Sequence, residues 1–87
     1  AAAQYNLGLL YDQGHGVPKD YTRARHWFEK AAAQGLAAAQ HGLGVLYNRG
    51  QGVTQDYARA RYWFEKAAAQ GDSSAQSALR LLQQEGH

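Results

Sequence analysis

Cysteine is absent from the 87 residues, so the chain holds neither a disulfide nor a thiolate metal site. That absence does not fix a compartment, because reducing and oxidising environments both tolerate such chains. Charge is sparse and nearly balanced, with nine Lys plus Arg against seven Asp plus Glu, a formal net charge of +2. Nucleic-acid binding calls for a concentrated basic stripe, so no nucleic-acid partner is expected. No apolar run approaches the roughly 18 residues a membrane span requires. Serine is confined to Ser73, Ser74 and Ser77, and no His or Asp is spaced to complete a triad with them. No carboxylate pair marks a hydrolytic cleft. Methionine is absent too, and the opening Ala1-Ala2-Ala3-Gln4 reads as the interior of a longer sequence. Any targeting segment is therefore expected outside this stretch, and the compartment is left open.

What is present is a repeat. Trp27 returns as Trp63, 36 residues later. The same offset pairs Gly8 with Gly44, Tyr11 with Tyr47, Gly14 with Gly50, Gly16 with Gly52 and Asp20 with Asp56. Aligning residues 1–36 with 37–72 gives 25 identities, far beyond chance. The chain divides into a first unit (1–36), a second (37–72) and a half unit (73–87) that restarts at Ala75-Gln76. A lone core is marginal at this length, whereas stacked repeats bury their apolar faces on one another.

Each unit reads as two helices. The first helices are expected from about Ala1 to Gln13 and from about Ala37 to Arg49, with Gly14 and Gly50 as left-handed caps. Asp20 and Asp56 are suited to cap the second helices, expected from about Tyr21 to Gln34 and from about Tyr57 to Gln70. Gly35 and Gly71 end them. Asp72 opens a fifth helix from about Ser73 to Gln84. Five helices with short turns predict an all-α chain of antiparallel neighbours.

Helical spacing then sorts the faces, at about 100° per residue. Ala3, Leu7, Leu10, Tyr11 and Gly14 share one side of the first helix and return unchanged as Ala39, Leu43, Leu46, Tyr47 and Gly50. The positions that differ are Tyr5/His41, Asn6/Gly42, Leu9/Val45, Asp12/Asn48 and Gln13/Arg49. They fill an arc of roughly 120° opposite the constant side. The constant side repeats because packing repeats, and the varied arc is the face left for solvent or a ligand. Gly8 and Gly44 stand mid-helix, where Gly costs about 1 kcal/mol relative to Ala. Close approach of the partner helix, with Ala24 and Ala60 meeting the glycines, would account for that cost. Tyr21, Ala24, Trp27, Phe28 and Ala31 form the apolar face of the second helix, and Arg25 and Glu29 can pair across one turn.

In the last helix Leu79 and Leu82 keep the places of Leu43 and Leu46, while Arg80 replaces Gly44 and Gln83 replaces Tyr47. This is how a stack of repeats ends on a polar face. The first helix has no such cap and exposes a small-residue surface that a preceding unit or another molecule could cover, which leaves homo-oligomer formation through it open.

Other features read as structural. The Gly-x-Gly-Val loops lack the Lys-Ser/Thr pair of a phosphate loop. His15, His26, His41 and His87 neither recur nor pair at the spacing of helical metal ligands, so they read as surface residues and no metal or cofactor is expected. Trp27 and Trp63 repeat within the apolar face, which suits packing between units better than stacking on a ligand. Arg23, Arg25, Arg59 and Arg61 make a repeated solvated edge.

The spacing resembles that of the Sel1-like repeat, a relative of the tetratricopeptide repeat. Ala3, Leu7-Gly8, Tyr11, Gly14-His15-Gly16-Val17, Asp20, Ala24, Trp27-Phe28, Ala31-Ala32 and Gln34-Gly35 carry the resemblance. It returns in Ala39, Leu43-Gly44, Tyr47, Gly50-Gln51-Gly52-Val53, Asp56, Ala60, Trp63-Phe64, Ala67-Ala68 and Gln70-Gly71. The resemblance implies a right-handed α-solenoid whose first helices line a concave groove. It also implies adaptor roles in bacterial envelope, signalling and host-interaction systems and in eukaryotic protein quality control. Some Cys-rich relatives are associated with β-lactam binding or hydrolysis, and this chain departs from them in having no cysteine. The expected function is thus a protein-binding scaffold, with a spacer or self-assembly segment of a longer solenoid as the alternative. Carried onto this sequence, the groove falls on Tyr5, Leu9, Asp12 and Gln13, on His41, Val45, Asn48 and Arg49, and on Ser77 and Leu81. Arg49 could hold a peptide carboxylate there, or simply favour a helix C-terminus as a solvated cation.

Overall fold

The computed structural model describes residues 2–14 and 19–87. It contains five helices, α1 (Ala2–Gln13), α2 (Tyr21–Ala33), α3 (Ala37–Arg49), α4 (Tyr57–Ala69) and α5 (Ser73–Gln84). No strand occurs among the described residues. Each helix packs mainly on its neighbours in sequence, α1 on α2, α2 on α3, α3 on α4 and α4 on α5. The result is a helical solenoid measuring 36 × 24 × 17 Å. The first loop's His15, Gly16 and Val17 lie outside the described residues, and the expectations for them with it.

The helix ends follow the expected chemistry. The Asp20 carboxylate accepts from the Arg23 N–H at 3.1 Å, and Asp56 from the Arg59 N–H at 3.1 Å. Asp72 accepts from the Ser74 and Ala75 amides. Each bond satisfies an amide that has no partner inside its helix. Arg23 and Arg59 also turn back to pair with these aspartates and lie over the rings of Tyr11 and Tyr47. Of the repeated basic edge, Arg23 and Arg59 are therefore tied to the caps, while Arg25 pairs with Glu29. Gly14 and Gly50 adopt φ of 71° and 69°, the left-handed conformation that stops α1 and α3.

Two apolar clusters form the core. Ala24, Phe28, Ala31 and Ala32 of α2 meet Ala39, Leu43 and Leu46 of α3. Tyr47 of α3, Ala60, Phe64 and Ala67 of α4, and Ala75 and Leu82 of α5 make the second. Trp63 packs against both clusters, as a residue at the junction between units should. Trp27, its twin, is only partly buried and belongs to neither, with the Lys30 ammonium 5.3 Å from its ring. Inter-unit packing needs a preceding unit, and no described helix precedes α1.

The close approach at the mid-helix glycines involves a different neighbour from the one expected. A Cβ on Gly44 would fall 2.5 Å from the Phe64 ring, and one on Gly8 would fall 2.6 Å from the Phe28 ring. Ala24 contributes only its carbonyl, at 3.3 Å from the Gly8 position. The phenylalanine lies over the glycine because the gap left by the missing side chain is wide enough for a ring edge. Gly52 is likewise set by an approach between units. With φ of 73°, it lies where a Cβ would be 2.6 Å from the Tyr21 carbonyl carbon at the start of α2.

Candidate functional site

The constant and varied faces separate as the spacing predicts along α3 but not along α1. Along α3 the constant residues Ala39, Leu43, Leu46 and Tyr47 are buried, while His41, Val45 and Asn48 are half-buried and Arg49 is exposed. The same constant residues on α1 behave differently, because no described helix covers them: Leu7 is 37% exposed and Leu10 40%. The outer face of α1 is thus studded with leucine and is not a surface of small residues alone.

Five of the expected groove residues come together. Tyr5, Leu9 and Asp12 of α1 face His41 and Val45 of α3 across a depression of about 160 Å³. Phe28, Gly42 and Leu46 complete its lining. The ring contact beneath it recurs in the second unit. Tyr5 lies tilted on Phe28 with ring centroids 5.7 Å apart, and His41 lies tilted on Phe64 at 5.6 Å. Residues in one place of the first helices therefore rest on the phenylalanine of the following second helix. Asp12 is the one formally charged side chain in the lining, and it enters no ion pair among the described residues.

The other expected residues lie outside this depression. Gln13 and Arg49 are exposed at the ends of α1 and α3. The Asn48 carbonyl accepts from Gln55 Nε2 at 2.7 Å, and its side-chain Oδ1 is enclosed without a partner among the described residues. On α5, Ser77 accepts from Arg80 at 3.3 Å and Leu81 is 58% exposed.

Phe28, Gly42 and Leu46 were absent from the expected groove. Phe28 and Leu46 read as core, which they are, but each also presents an edge to the depression. Gly42 carried a signal in its exchange with Asn6, since only the smaller residue leaves the floor open. A second omission is polar. Gln40 is 4% exposed, donates to the Ala32 carbonyl at 3.4 Å and accepts from Gln70 at 2.9 Å. Gln34 donates in the same way to Gln4 at 2.9 Å, and Gln76 reaches the Ala68 carbonyl at 3.4 Å. The recurrence of Gln4, Gln40 and Gln76 every 36 residues was the available signal.

A larger depression of about 490 Å³ lies at the α4–α5 end, lined by Arg61, Glu65, Leu79, Leu82, Gln83, Gly86 and His87. It contains none of the expected groove residues. Gln83 stands here at the position of Tyr47, which in the preceding unit packs against a second helix. The hollow is what remains where α5 has no such helix among the described residues. No cluster of three metal-ligating side chains occurs among the described residues, and no described helix is long and apolar enough to cross a membrane.

Comparison with known proteins places this architecture. The sequence model of the Sel1 repeat matches residues 1–36 and again 37–72. The chain superposes on a Sel1 repeat protein from Oxalobacter formigenes at a TM-score of 0.94 and 42% identity, covering 98% of this chain and 35% of that one. It superposes on c5321, a protective antigen of uropathogenic Escherichia coli strains with an SLR fold, at a TM-score of 0.96 and 47% identity, covering 98% and 18%. With Helicobacter pylori cysteine rich protein B the TM-score is 0.83 and the identity 29%, covering 90% and 59%. The chain therefore spans less than two thirds of the length of each of these structures. No curated protein sequence matches it. The repeat period, the packing of glycine against phenylalanine and these matches lead to one conclusion: the chain belongs to the Sel1 repeat family.

Proposed function

We propose that this chain is a protein-interaction scaffold that offers the varied faces of α1, α3 and α5 as a groove for a peptide or protein partner. Sel1-like repeats generally mediate protein–protein interaction and are typically non-enzymatic scaffolds. The observation that carries the reading is the shared depression. Residues that vary between two successive units converge on one hollow with an aromatic floor and the Asp12 carboxylate at its rim. Such a mixture suits a peptide, whose side chains seek apolar hollows while its ends and charges seek the rim. In this reading Arg49, exposed at the end of α3 and outside the depression, meets a carboxylate of the bound chain.

The test is a pull-down with the protein, unmodified and with Tyr5→Ala, His41→Ala and Arg49→Ala combined. Loss of one defined partner, with the helical circular dichroism retained, is the expected result. Retention of every partner would overturn the groove. Arg49→Ala alone should weaken that partner, and unchanged affinity would remove Arg49 from the site.

A second reading, end-to-end assembly, draws on the exposed Leu7 and Leu10 of α1. It expects concentration-dependent association in sedimentation, abolished by Leu7→Lys. A species that stays monomeric on concentration would count against it.

A further inference from the structure

The depression between α1 and α3 has dimensions and a charge that narrow what enters it. Its volume, about 160 Å³, falls below the roughly 300–1,000 Å³ of sites that enclose a small-molecule ligand. That is room for one side chain and too little for a cofactor. Leu9, Val45 and Leu46 make most of its wall apolar, the His41 imidazole adds a polar edge, and the tilted Tyr5–Phe28 pair supplies the floor. Gly42 keeps it open, since even a Cβ there would press to 3.2 Å from the Phe28 ring. At the rim stands Asp12, partly buried and without an ion-pair partner among the described residues. The corresponding positions 36 residues later carry Asn48 for Asp12, Ser77 for His41 and Ala78 for Gly42. A carboxylate thus stands beside the α1–α3 hollow, and the corresponding position 36 residues later carries the amide Asn48 in its place.

We infer that this depression receives one apolar side chain of a bound peptide whose adjacent residue is Lys or Arg, with the cation resting against Asp12. The inference rests on the groove reading above and specifies its ligand. The apolar side chain gains by leaving water. The cation supplies selectivity, because an acidic residue in its place would meet a like charge. The contact at Asp12 is partly solvated, so its strength falls as salt rises.

The experiment titrates the isotopically labelled 87-residue chain with three acetylated and amidated hexapeptides, followed by amide NMR shifts. The peptides are Gly-Ser-Arg-Leu-Ser-Gly, Gly-Ser-Glu-Leu-Ser-Gly and Gly-Ser-Arg-Ser-Ser-Gly. The first should move the amides of Leu9, Asp12, Gly42 and Val45 saturably. The other two should bind more weakly at those positions. In Asp12→Asn, which installs the residue found at position 48, affinity for the first peptide should fall about 1.5- to fivefold, the range of a partly exposed ion pair. The second peptide should lose nothing in that variant. Equal affinity for the Arg–Leu and Glu–Leu peptides would overturn the inference while leaving the groove in place. Movement of the same amides on concentrating the protein alone would make a second copy the occupant and overturn it too. No movement with any peptide would also overturn it, and the groove itself would then stand or fall on the pull-down.

Discussion

Gly44 shows how much one residue decides. Alanine would favour the helix by about 1 kcal/mol at that position. Its methyl, however, would lie 2.5 Å from a Phe64 ring that is itself only 2% exposed and has nowhere to retreat. Overpacking of this kind costs about 1–3 kcal/mol, so the clash outweighs the gain. Gly44→Ala should lower the midpoint of chemical unfolding, and Gly44→Ala combined with Phe64→Leu should cost less than the two changes summed. Additive costs would mean the ring and the glycine do not constrain one another. Asp56 works at the same scale through its bond to the Arg59 amide. Asp56→Ala should cost about 1 kcal/mol, read by the same denaturation. Asp56→Asn should recover most of that, because the amide oxygen still accepts the bond.

At the scale of the helix, what was legible in the sequence was whatever repeats. The ends of α1 through α5 are marked by Asp20, Asp56 and Asp72 at one side and by Gly14 and Gly50 at the other, and the structure uses them as read. Separation of the constant arc from the varied arc was legible for α3, and on α1 it fails because Leu7 and Leu10 lie exposed while Tyr5 and Leu9 rest partly buried. The partner of each glycine was not legible, because spacing within one helix says nothing about which side chain of the next reaches across. The groove floor was hidden because Phe28 and Leu46 serve the core and the hollow together. The glutamine bonds were missed because a polar residue on a helix is ordinarily solvated. Gln40 is the exception, joining Ala32 at the end of α2 to Gln70 after α4. Gln40→Ala would remove the second donor of the Ala32 carbonyl, which keeps the Gly35 amide at 2.9 Å, and the acceptor of the Gln70 side chain. It should cost about 0.5–1.5 kcal/mol. Gln4→Ala should cost less, since the one side-chain bond it makes among the described residues is an exposed one to Gln34. Equal costs would show that the buried carbonyl gains nothing from the glutamine.

Over the whole molecule, the same residue carries a different weight according to which unit holds it. Leu7 and Leu43 occupy one place in the repeat, as do Leu10 and Leu46. Leu43 and Leu46 are 0% and 1% exposed beneath α2, whereas Leu7 and Leu10 are 37% and 40% exposed. In a solenoid each unit is stabilised by the interface with its neighbour more than by its own residues. Truncating a fully buried leucine costs about 2–5 kcal/mol, a large part of the stability of a chain this size. At the half-exposed positions little cavity forms, and part of the apolar surface is already in water. Leu43→Ala and Leu46→Ala should therefore each lower stability several-fold more than Leu7→Ala or Leu10→Ala, as measured by urea unfolding. The difference should disappear in a chain carrying a further repeat ahead of Ala1, because its second helix would cover Leu7 and Leu10 as α2 covers Leu43 and Leu46. If the four variants were equally costly in the 87-residue chain, stability would reside within units, and the outer face of α1 would offer no interface energy to a partner or a second copy.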